Sequence, residues 1–388
     1  MPRSRYADGQ MREVDLAIIG GGFAGLVCAQ AAAVRGARTV VFERKPFIGA
    51  RPHTTGILVK EVADRFDFPE KFIRKIHRVR LYSPDLRHID LYSPGYYFLA
   101  TDTAGLLGWL AARAADSGAE LRCGAPFTRC EKTAAGWRLP DFTVSARYLV
   151  GADGARSRLA SVLRVPANRK FLIGVEQEWR GLRKLDPDFL HVFLDSELAR
   201  GYIGWAVPGV HGAQIGLATA GRRAPRLGAF TARLRKIFDF SAATCVERRG
   251  GLIPAGGTLH HPPLAAALLL GDAAGTVSPL TAGGIHPAME LGRLAGVSVA
   301  NHLLDGGPDP WRVIRRRLPS YAVKNLLRRA FETCTPPNAL LDFALANPLF
   351  QRLAQTVFFH HRGLLTMAAW RDLFPLERSL NNAEPPRR

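Results

Sequence analysis

The chain has 388 residues, 47% of them hydrophobic, which allows two or three domains with a large core and excludes a disordered chain. No apolar run approaches the roughly 18 residues of a transmembrane helix, and no apolar segment typical of a signal peptide precedes the first strand. The formal net charge of +20 predicts a surface that attracts anions, but its basic residues do not alternate with aromatic ones as in nucleic-acid platforms. Five scattered cysteines without a CxxC pair indicate a reducing compartment and no metal site.

A glycine-rich turn lies between two apolar runs near the start of the chain. The run Val14–Ile19 has the character of a buried parallel strand, and Gly20, Gly22 and Gly25 follow it in the spacing G-x-G-x-x-G. These glycines let the backbone turn and approach a pyrophosphate, and the helix that starts there directs free N–H groups at it. Glu43 closes the next apolar run, where a carboxylate accepts from a ribose hydroxyl. The unit predicts a bound dinucleotide, with NAD and FAD both open.

Residues 46–165 are predicted to alternate between helices and short strands. Mixed charged and apolar residues over 60–75 favour a helix, and a second helix is predicted from Thr101 to Gly118, capped by Thr101 or Asp102. Between them, alternating polarity predicts the strands of a separate antiparallel sheet: His77–Tyr82, His88–Tyr92 and Tyr96–Ala100.

Two further acidic motifs follow strands later in the chain. Asp153-Gly154 comes directly after one apolar run, at a place suited to an acid near a cofactor. Gly271-Asp272 ends a fully apolar run, where the carboxyl end of a strand meets a ligand. Both motifs therefore point to the same edge of a parallel sheet as the glycine-rich turn.

A glycine pair and a long helix follow the second motif. Gly283 and Gly284 allow the chain to press against a flat ring, and the helix that begins near Ile285 directs its dipole at an anionic flavin. Residues 171–253 read mostly as sheet, interrupted by a basic helix over Leu227–Phe238. This order predicts a cofactor domain assembled from several segments, with a mainly antiparallel domain inserted between them.

The three motifs together resemble the FAD-dependent oxidoreductases of the p-hydroxybenzoate hydroxylase fold, in the glutathione reductase superfamily. The resemblance implies an α/β fold: an FAD-binding Rossmann-type domain, an inserted, mainly antiparallel β substrate domain, and a helical C-terminal segment. The predicted boundaries are a disordered basic arm (1–12), FAD-binding segments (13–75, 101–165 and 254–305), substrate-domain segments (76–100 and 166–253) and the helical C-terminal segment (306–388).

A finer resemblance is to the geranylgeranyl reductases. The segment from Gly271 to Met289 closely follows their flavin-ring segment, and Tyr202-x-x-Trp205-x-x-Pro208 with Gly216 looks like their substrate-cavity motif. Two features depart from the family pattern: the loop over residues 52–56 lacks the cysteine of archaeal members, and Asp102 is followed by threonine instead of arginine. A cysteine proton donor is therefore not carried over, and Arg44 or Arg51 is the expected replacement for the arginine.

The resemblance implies FAD-dependent reduction of carbon–carbon double bonds in an isoprenoid or prenyl lipid. The alternative is an FAD-dependent aromatic monooxygenase on the same fold; a halogenase is less favoured because residues 51–58 contain no lysine, and a non-catalytic flavoprotein stays open. NAD(P)H or reduced ferredoxin would bind transiently as electron donor. We expect a cytoplasmic protein with an apolar substrate and no nucleic-acid partner, and a basic C-terminal segment that contacts either a prenyl diphosphate or the inner face of an anionic membrane.

The predicted site residues fall into three groups. His53 and His286 are the candidate proton carriers, because their loops come closest to the predicted ring. Tyr202, Trp205 and Pro208 are the predicted substrate contacts. The predicted cofactor contacts are Gly20, Gly22, Phe23, Ala24, Gly25, Glu43, Arg44, Asp153, Gly154, Gly271, Asp272, Gly283, Gly284 and Ile285.

Overall fold

The computed structural model describes residues 11–221, 224–333 and 335–359. The strands in these ranges are β1 (Arg12–Ile19), β2 (Thr39–Glu43), β3 (Ile57–Val59), β4 (Ile73–Ile76), β5 (Arg78–Tyr82), β6 (His88–Tyr92), β7 (Phe98–Thr101), β8 (Glu120–Cys123), β9 (Glu131–Thr133), β10 (Gly136–Leu139), β11 (Val144–Gly151), β12 (Phe171–Arg180), β13 (Phe189–Phe193), β14 (Gly204–Pro208), β15 (Ala213–Ala220), β16 (Thr244–Pro254) and β17 (Ala267–Leu269). The α-helices are α1 (Phe23–Ala33), α2 (Lys60–Ala63), α3 (Thr103–Asp116), α4 (Arg158–Val162), α5 (Leu227–Leu234), α6 (Ile285–Asp305), α7 (Pro310–Arg315), α8 (Ala322–Thr333), α9 (Asn338–Ala344) and α10 (Pro348–Phe359).

The first sheet has the order β8-β2-β1-β11-β10-β9, and β17 also pairs with β11. Strands β8, β2, β1, β11 and β17 run parallel to one another, whereas β10 is antiparallel to β11 and to β9. The central strand β1 is buried on both faces: Leu16 and Ile18 pack with α1 and α6, and Ala17 and Ile19 pack with β10 and α4. This double burial explains why the run carries no alternating polarity.

Helices α1 and α6 cross in close contact because α6 carries glycine where the helices meet. A Cβ at Gly292 would lie 2.6 Å from the carbonyl oxygen of Ala24, and a Cβ at Gly296 would lie 2.3 Å from that of Cys28. Any larger residue at either position would push the helices apart, so these glycines set the position of α6 on the first sheet.

The second sheet has the order β16-β12-β15-β14-β13-β5-β6 and is antiparallel except for the parallel pair β13–β5. The chain enters it first with β5 and β6 and returns with β12 to β16. In the register of β14 and β15, Trp205 lies opposite Gly216, and a Cβ at Gly216 would come within 2.5 Å of the indole. Gly216 therefore makes room for the ring of Trp205, which explains physically why the substrate-cavity motif pairs this tryptophan with a glycine.

A third sheet, β3-β7-β4, corrects two predictions: the strand predicted at Tyr96–Ala100 is β7 and belongs to this sheet, not to the sheet of β5 and β6. The helix predicted over 60–75 ends at Ala63, and Ile73–Ile76 is a strand that pairs with β7. Pro69 provides the reason, since it donates no N–H and disfavours helical geometry at Phe68, whose side chain is buried. The predicted domain boundaries stay a proposal.

The two ends of the described chain refine the predictions there. Arg12, placed in the predicted basic arm, belongs to β1 and pairs with Glu120; residues 1–10 and the predicted disordered tail after Asn381 lie outside the described residues. Over its described part, residues 306–333 and 335–359, the predicted helical C-terminal segment is confirmed as α7 to α10, with Pro319 in the break between α7 and α8. Within the described ranges, no helix is both long and apolar enough to cross a membrane.

Candidate active site

One cavity of about 1540 Å³ is lined by the carboxyl ends of the first sheet, one face of the second sheet and the C-terminal helices. A site for a drug-sized ligand usually has 300 to about 1,000 Å³, so this cavity has room for more than one such group. The predicted site residues that line it are Gly22, Phe23, Ala24, Glu43, His53, Gly154, Tyr202, Trp205, Gly271, Asp272, Gly283, Gly284, Ile285 and His286.

The glycine-rich turn forms one end of the cavity. Gly20 has φ +108°, and a Cβ there would lie 2.3 Å from the carbonyl oxygen of Ala152; a Cβ at Gly25 would lie 2.0 Å from the carbonyl oxygen of Gly20. These two glycines shape the turn and do not line the cavity. A Cβ at Gly22 would meet no protein atom within 4 Å, so this position is open for a ligand's close approach.

Helix α1 begins at this opening without a side-chain cap. Gly22 is its N-cap residue, and no acidic side chain lies in its first turn. Its first N–H groups thus retain their capacity to bind an anion, and the helix dipole adds positive potential at the same place.

The carboxylate of Glu43 both supports the turn and faces the cavity. Its Oε2 accepts the N–H of Gly21 at 2.7 Å, and its Oε1 accepts the N–H of Lys45 at 2.9 Å. Lys45 lines the cavity and donates from Nζ to the carbonyl oxygen of Arg51. Arg44 and Arg51, the arginines expected at a cofactor phosphate, are both exposed and outside the cavity lining, so Lys45 is the cation nearest this role.

Asp153 and Gly154, both predicted to contact the cofactor, have different surroundings in the structure. The Asp153 carboxylate accepts from the hydroxyl of Ser157 at 2.6 Å and from the N–H groups of Arg158 and Leu159, so it holds the start of α4. The Asp153 side chain does not line the cavity, whereas Gly154 does, with φ +86° and nothing within 4 Å of an added Cβ. The glycine is therefore the half of this motif that offers space to a ligand.

Asp272 faces the cavity from the turn that follows β17. Its backbone carbonyl accepts from Asn168 Nδ2 at 2.7 Å, which fixes the turn and leaves the carboxyl directed toward Gly284. Burial raises the pKa of the Asp272 carboxyl to about 6. Helix α6 begins beside it at Gly284, again without a side-chain cap, so uncapped N–H groups of a second helix meet the same cavity.

The two predicted histidines both line the cavity and have different partners. His53 Nδ1 lies 2.9 Å from the carbonyl oxygen of Gly250, so this nitrogen carries the hydrogen, and burial lowers the pKa of the ring. His286 Nε2 lies 3.2 Å from the carboxylate of Glu290, one turn further along α6.

Tyr202 and Trp205 form part of the wall contributed by the second sheet. The hydroxyl of Tyr202 donates to the carbonyl oxygen of Thr281 at 2.7 Å, which ties this wall to the glycine pair, and burial raises the pKa of that hydroxyl. Pro208 does not line the cavity: it is the buried last residue of β14, and Val207 lines the cavity instead. The structure therefore does not bring Pro208 to the cavity, and a substrate contact at this residue stays a prediction.

A buried ion pair that the sequence analysis did not predict, Glu176 with Arg249, forms part of this wall and lines the cavity. Oε2 of Glu176 accepts from Trp205 Nε1 and from Thr55 Oγ1, both at 2.6 Å. Its Oε1 accepts from Arg249, and both side chains of the pair are under a tenth exposed. The available signal was a glutamate within a strand whose neighbours are buried; its partner on β16 depends on strand pairing that the sequence does not reveal.

The comparisons with known proteins agree with this geometry. Residues 15–104 match the family described as FAD dependent oxidoreductase. A digeranylgeranylglycerophospholipid reductase of Methanocaldococcus jannaschii is 26% identical over 79% of this chain and 83% of its own length. A geranylgeranyl diphosphate reductase of Rhodobacter capsulatus is 28% identical, covering 78% of each chain.

The chain is thus similar to FAD-dependent oxidoreductases over residues 15–104 and, over most of its length, to relatives named geranylgeranyl reductases. A solved structure from Thermoplasma acidophilum, described as geranylgeranyl bacteriochlorophyll reductase-like, has the same fold with a TM-score of 0.76, 19% identity and coverage of 90% of this chain and 97% of its own. The flavin-dependent brominase Bmp2 also shares the fold, with a TM-score of 0.62, 16% identity and coverage of 93% and 98% of the two chains. The predicted recognition and fold class are thus confirmed.

The residues of the cavity fit FAD. The opening at Gly22, the uncapped starts of α1 and α6, and the Glu43 carboxylate offer the donors and acceptor that a dinucleotide needs. The flat, side-chain-free surface at Gly283 and Gly284 suits a ring system.

Proposed function

We propose that the protein reduces carbon–carbon double bonds of an isoprenoid lipid, with FAD as its resident cofactor. The observation that carries the proposal is the continuity of the cavity, which joins the glycine-rich turn to an apolar end between the second sheet and the C-terminal helices. The apolar side chains that line that end include Leu81, Phe98, Leu190, Val192, Val207 and Phe350. An apolar chain loses water-exposed area there, which favours its binding. The names of the two relatives support the same substrate class.

FAD, when bound and reduced, supplies the hydride that such a reduction needs. The chain's own part is to hold the cofactor and to place the alkene beside it. The start of α1 and Lys45 would hold the pyrophosphate, Glu43 a ribose hydroxyl, and Asp272 a polar group nearer the ring. Tyr202, fixed on Thr281, and Trp205, fixed on Glu176, would form the opposite wall and exclude water from the alkene.

The reaction also needs a proton for the second alkene carbon, and we assign it to His286. The Glu290 carboxylate lies 3.2 Å from Nε2, where it can orient the ring and stabilise the imidazolium that gives up the proton. His53 is less suited, because burial lowers its pKa and so disfavours the charged ring, and its N–H is engaged by the carbonyl oxygen of Gly250. Replacement of this histidine should therefore affect turnover less than replacement of His286.

The electron donor and the membrane contact belong to the same proposal. The sequence has no second nucleotide-binding motif, so NAD(P)H or reduced ferredoxin would reduce the flavin in a transient encounter.

We propose peripheral contact with an anionic bilayer through α8 to α10, where Leu326, Phe343 and Leu349 are 67%, 71% and 55% exposed. Phe331 and Leu353 are exposed and also line the cavity, so this surface is continuous with the site.

The deciding experiment is anaerobic incubation of the dithionite-reduced holoenzyme with geranylgeranyl diphosphate, followed by mass spectrometry of the chain. We expect a gain of hydrogen at the isoprenoid double bonds together with reoxidation of the flavin. A reduced flavin that is reoxidised only by oxygen in the presence of a phenol would instead support the hydroxylase alternative. The variant Tyr202→Phe should bind FAD normally but turn over more slowly, because it loses its anchor on Thr281.

A further inference from the structure

One face of α8 brings basic side chains into the cavity. Tyr321, Lys324 and Arg328 follow each other at helical spacing and all line it, and Arg317 from the preceding segment lines it as well. The helix is held against the site: Thr258 donates to the carbonyl oxygen of Pro319. Positive charge therefore stands beside a cavity whose far end is apolar.

Lys324 carries its charge without an acidic neighbour. Burial lowers the pKa of its amine, and among the described residues no carboxylate lies close enough to oppose that effect. The Nζ atom of Lys324 lies 5.7 Å from the centroid of the Tyr321 ring. A half-buried ammonium without a counter-charge is costly, and an anion in the cavity would remove that cost.

Arg328 supplies a second, independent observation. Its side chain is buried, with Nη1 donating to the carbonyl oxygen of Gly201 at 2.6 Å and Nε to Glu332 at 2.8 Å. Its Nη2 is buried and has no hydrogen-bond partner among the described residues. Gly201, which this guanidinium faces, lines the cavity next to Tyr202. A buried guanidinium N–H without an acceptor is rare and indicates a missing partner.

We propose that Lys324 and Arg328, assisted by Arg317 and the hydroxyl of Tyr321, hold the phosphate group of a phosphorylated isoprenoid. This assignment rests on the proposed function and adds to it the residues of this chain that would bind the polar end of the substrate. The phosphate neutralises Lys324 and offers oxygens to α8, while the apolar chain extends toward the second sheet. A prenyl diphosphate and a prenyl-ether phospholipid both carry this group.

The test measures binding to the oxidised holoenzyme, where no turnover occurs, by titrating the flavin absorbance or fluorescence. The ligands are geranylgeranyl diphosphate, a geranylgeranyl-ether phospholipid in micelles, and geranylgeraniol, which lacks the phosphate. Lys324→Met should weaken binding of the phosphorylated ligand by about tenfold to a hundredfold, as expected for a lost charged contact, and leave geranylgeraniol unchanged. Lys324→Arg should restore most of the loss.

Lys236→Met is the matched control. Lys236 is exposed and outside the cavity lining, so this variant loses the same charge as Lys324→Met and leaves the site unchanged. If Lys324→Met weakens binding of the diphosphate alone, the ligand is a diphosphate. If it weakens binding of the phospholipid alone, the ligand is a lipid headgroup. Either result supports the subsite. Equal losses for Lys324→Met and Lys236→Met, or an unchanged preference for phosphate over alcohol, overturn it.

The reduced enzyme separates this proposal from the proposed function. If the wild type saturates geranylgeranyl chains but Lys324→Met binds the phosphate ester normally, the subsite fails and the function stands. If phosphate-dependent binding is found but no chain is saturated, the function fails and the subsite stands.

Discussion

At the scale of single residues, the site depends on groups whose partners are already in place. Glu43 accepts two backbone N–H groups and Glu176 accepts from three side chains, so both carboxylates are oriented before any ligand binds. Asp272 is different, because its carboxyl has a raised pKa and points into the cavity. Such a group gains most from a ligand that hydrogen-bonds to it.

Asp272→Ala should weaken FAD binding by about tenfold to a hundredfold, the effect of losing one charged hydrogen bond. Asp272→Asn, which keeps an acceptor oxygen, should lose less. Titration of the apoprotein with FAD, followed by flavin fluorescence, measures both affinities. Asp116→Ala is the control, since Asp116 is exposed at the end of α3. Wild-type affinity in the Asp272→Ala variant would remove this residue from the cofactor site.

At the scale of elements, the strand pair β5–β13 contains a buried histidine that makes folding depend on pH. His191 is 1% exposed; its Nε2 donates to the carbonyl oxygen of Asp186, and its Nδ1 accepts from the hydroxyl of Tyr82 at 3.0 Å. The ring is therefore neutral in the folded state, and burial lowers its pKa to about 4.

The free energy of unfolding should fall by about 2 kcal/mol from this residue alone between pH 7 and pH 5. The unfolded chain takes up the proton below its ordinary pKa of about 6.5, whereas the folded chain resists it down to the lowered value, so stability is lost as pH falls through that window. Urea denaturation at pH 7, 6 and 5 measures the slope. His191→Gln should flatten it, and the same slope in both proteins would contradict this account.

The elements also show what the sequence could predict. The glycine turn, Glu43, the strands at 77–82 and 88–92 and the long helix from Ile285 follow from local patterns, because each depends on neighbours close in the chain. The contact of Gly292 and Gly296 with α1, and that of Glu176 with Arg249, join residues far apart in the chain. The motif at Asp153 is visible as a pattern in the sequence, but its carboxylate accepts from the first N–H groups of α4, and only the geometry distinguishes this use from a cofactor contact.

At the scale of the whole molecule, a net charge of +20 is combined with apolar side chains exposed on the C-terminal helices. Membrane binding is strengthened by basic charge, which attracts an anionic bilayer, and further by apolar side chains that enter the bilayer. The molecule therefore combines the two properties that the proposed membrane contact through α8 to α10 requires.

The protein should sediment with vesicles that contain phosphatidylglycerol and less with vesicles of phosphatidylcholine, and added salt should reduce binding. The double variant Phe343→Ser, Leu349→Ser should bind about tenfold more weakly or worse, because each side chain contributes free energy when buried in the bilayer. Val34→Ser is the control, since Val34 is 69% exposed on another part of the surface. Equal binding of the control and the double variant would contradict this role.

The Glu176–Arg249 pair also bears on how this cavity could be redesigned. Its carboxylate joins the loop of Thr55, the indole of Trp205 and strand β16, so the two sides of that wall cannot separate without uncovering a charge. The facing wall consists of short helices with several exposed side chains. We expect laboratory selection for longer or shorter substrates to accumulate changes in α8 to α10 and to leave the sheet wall intact.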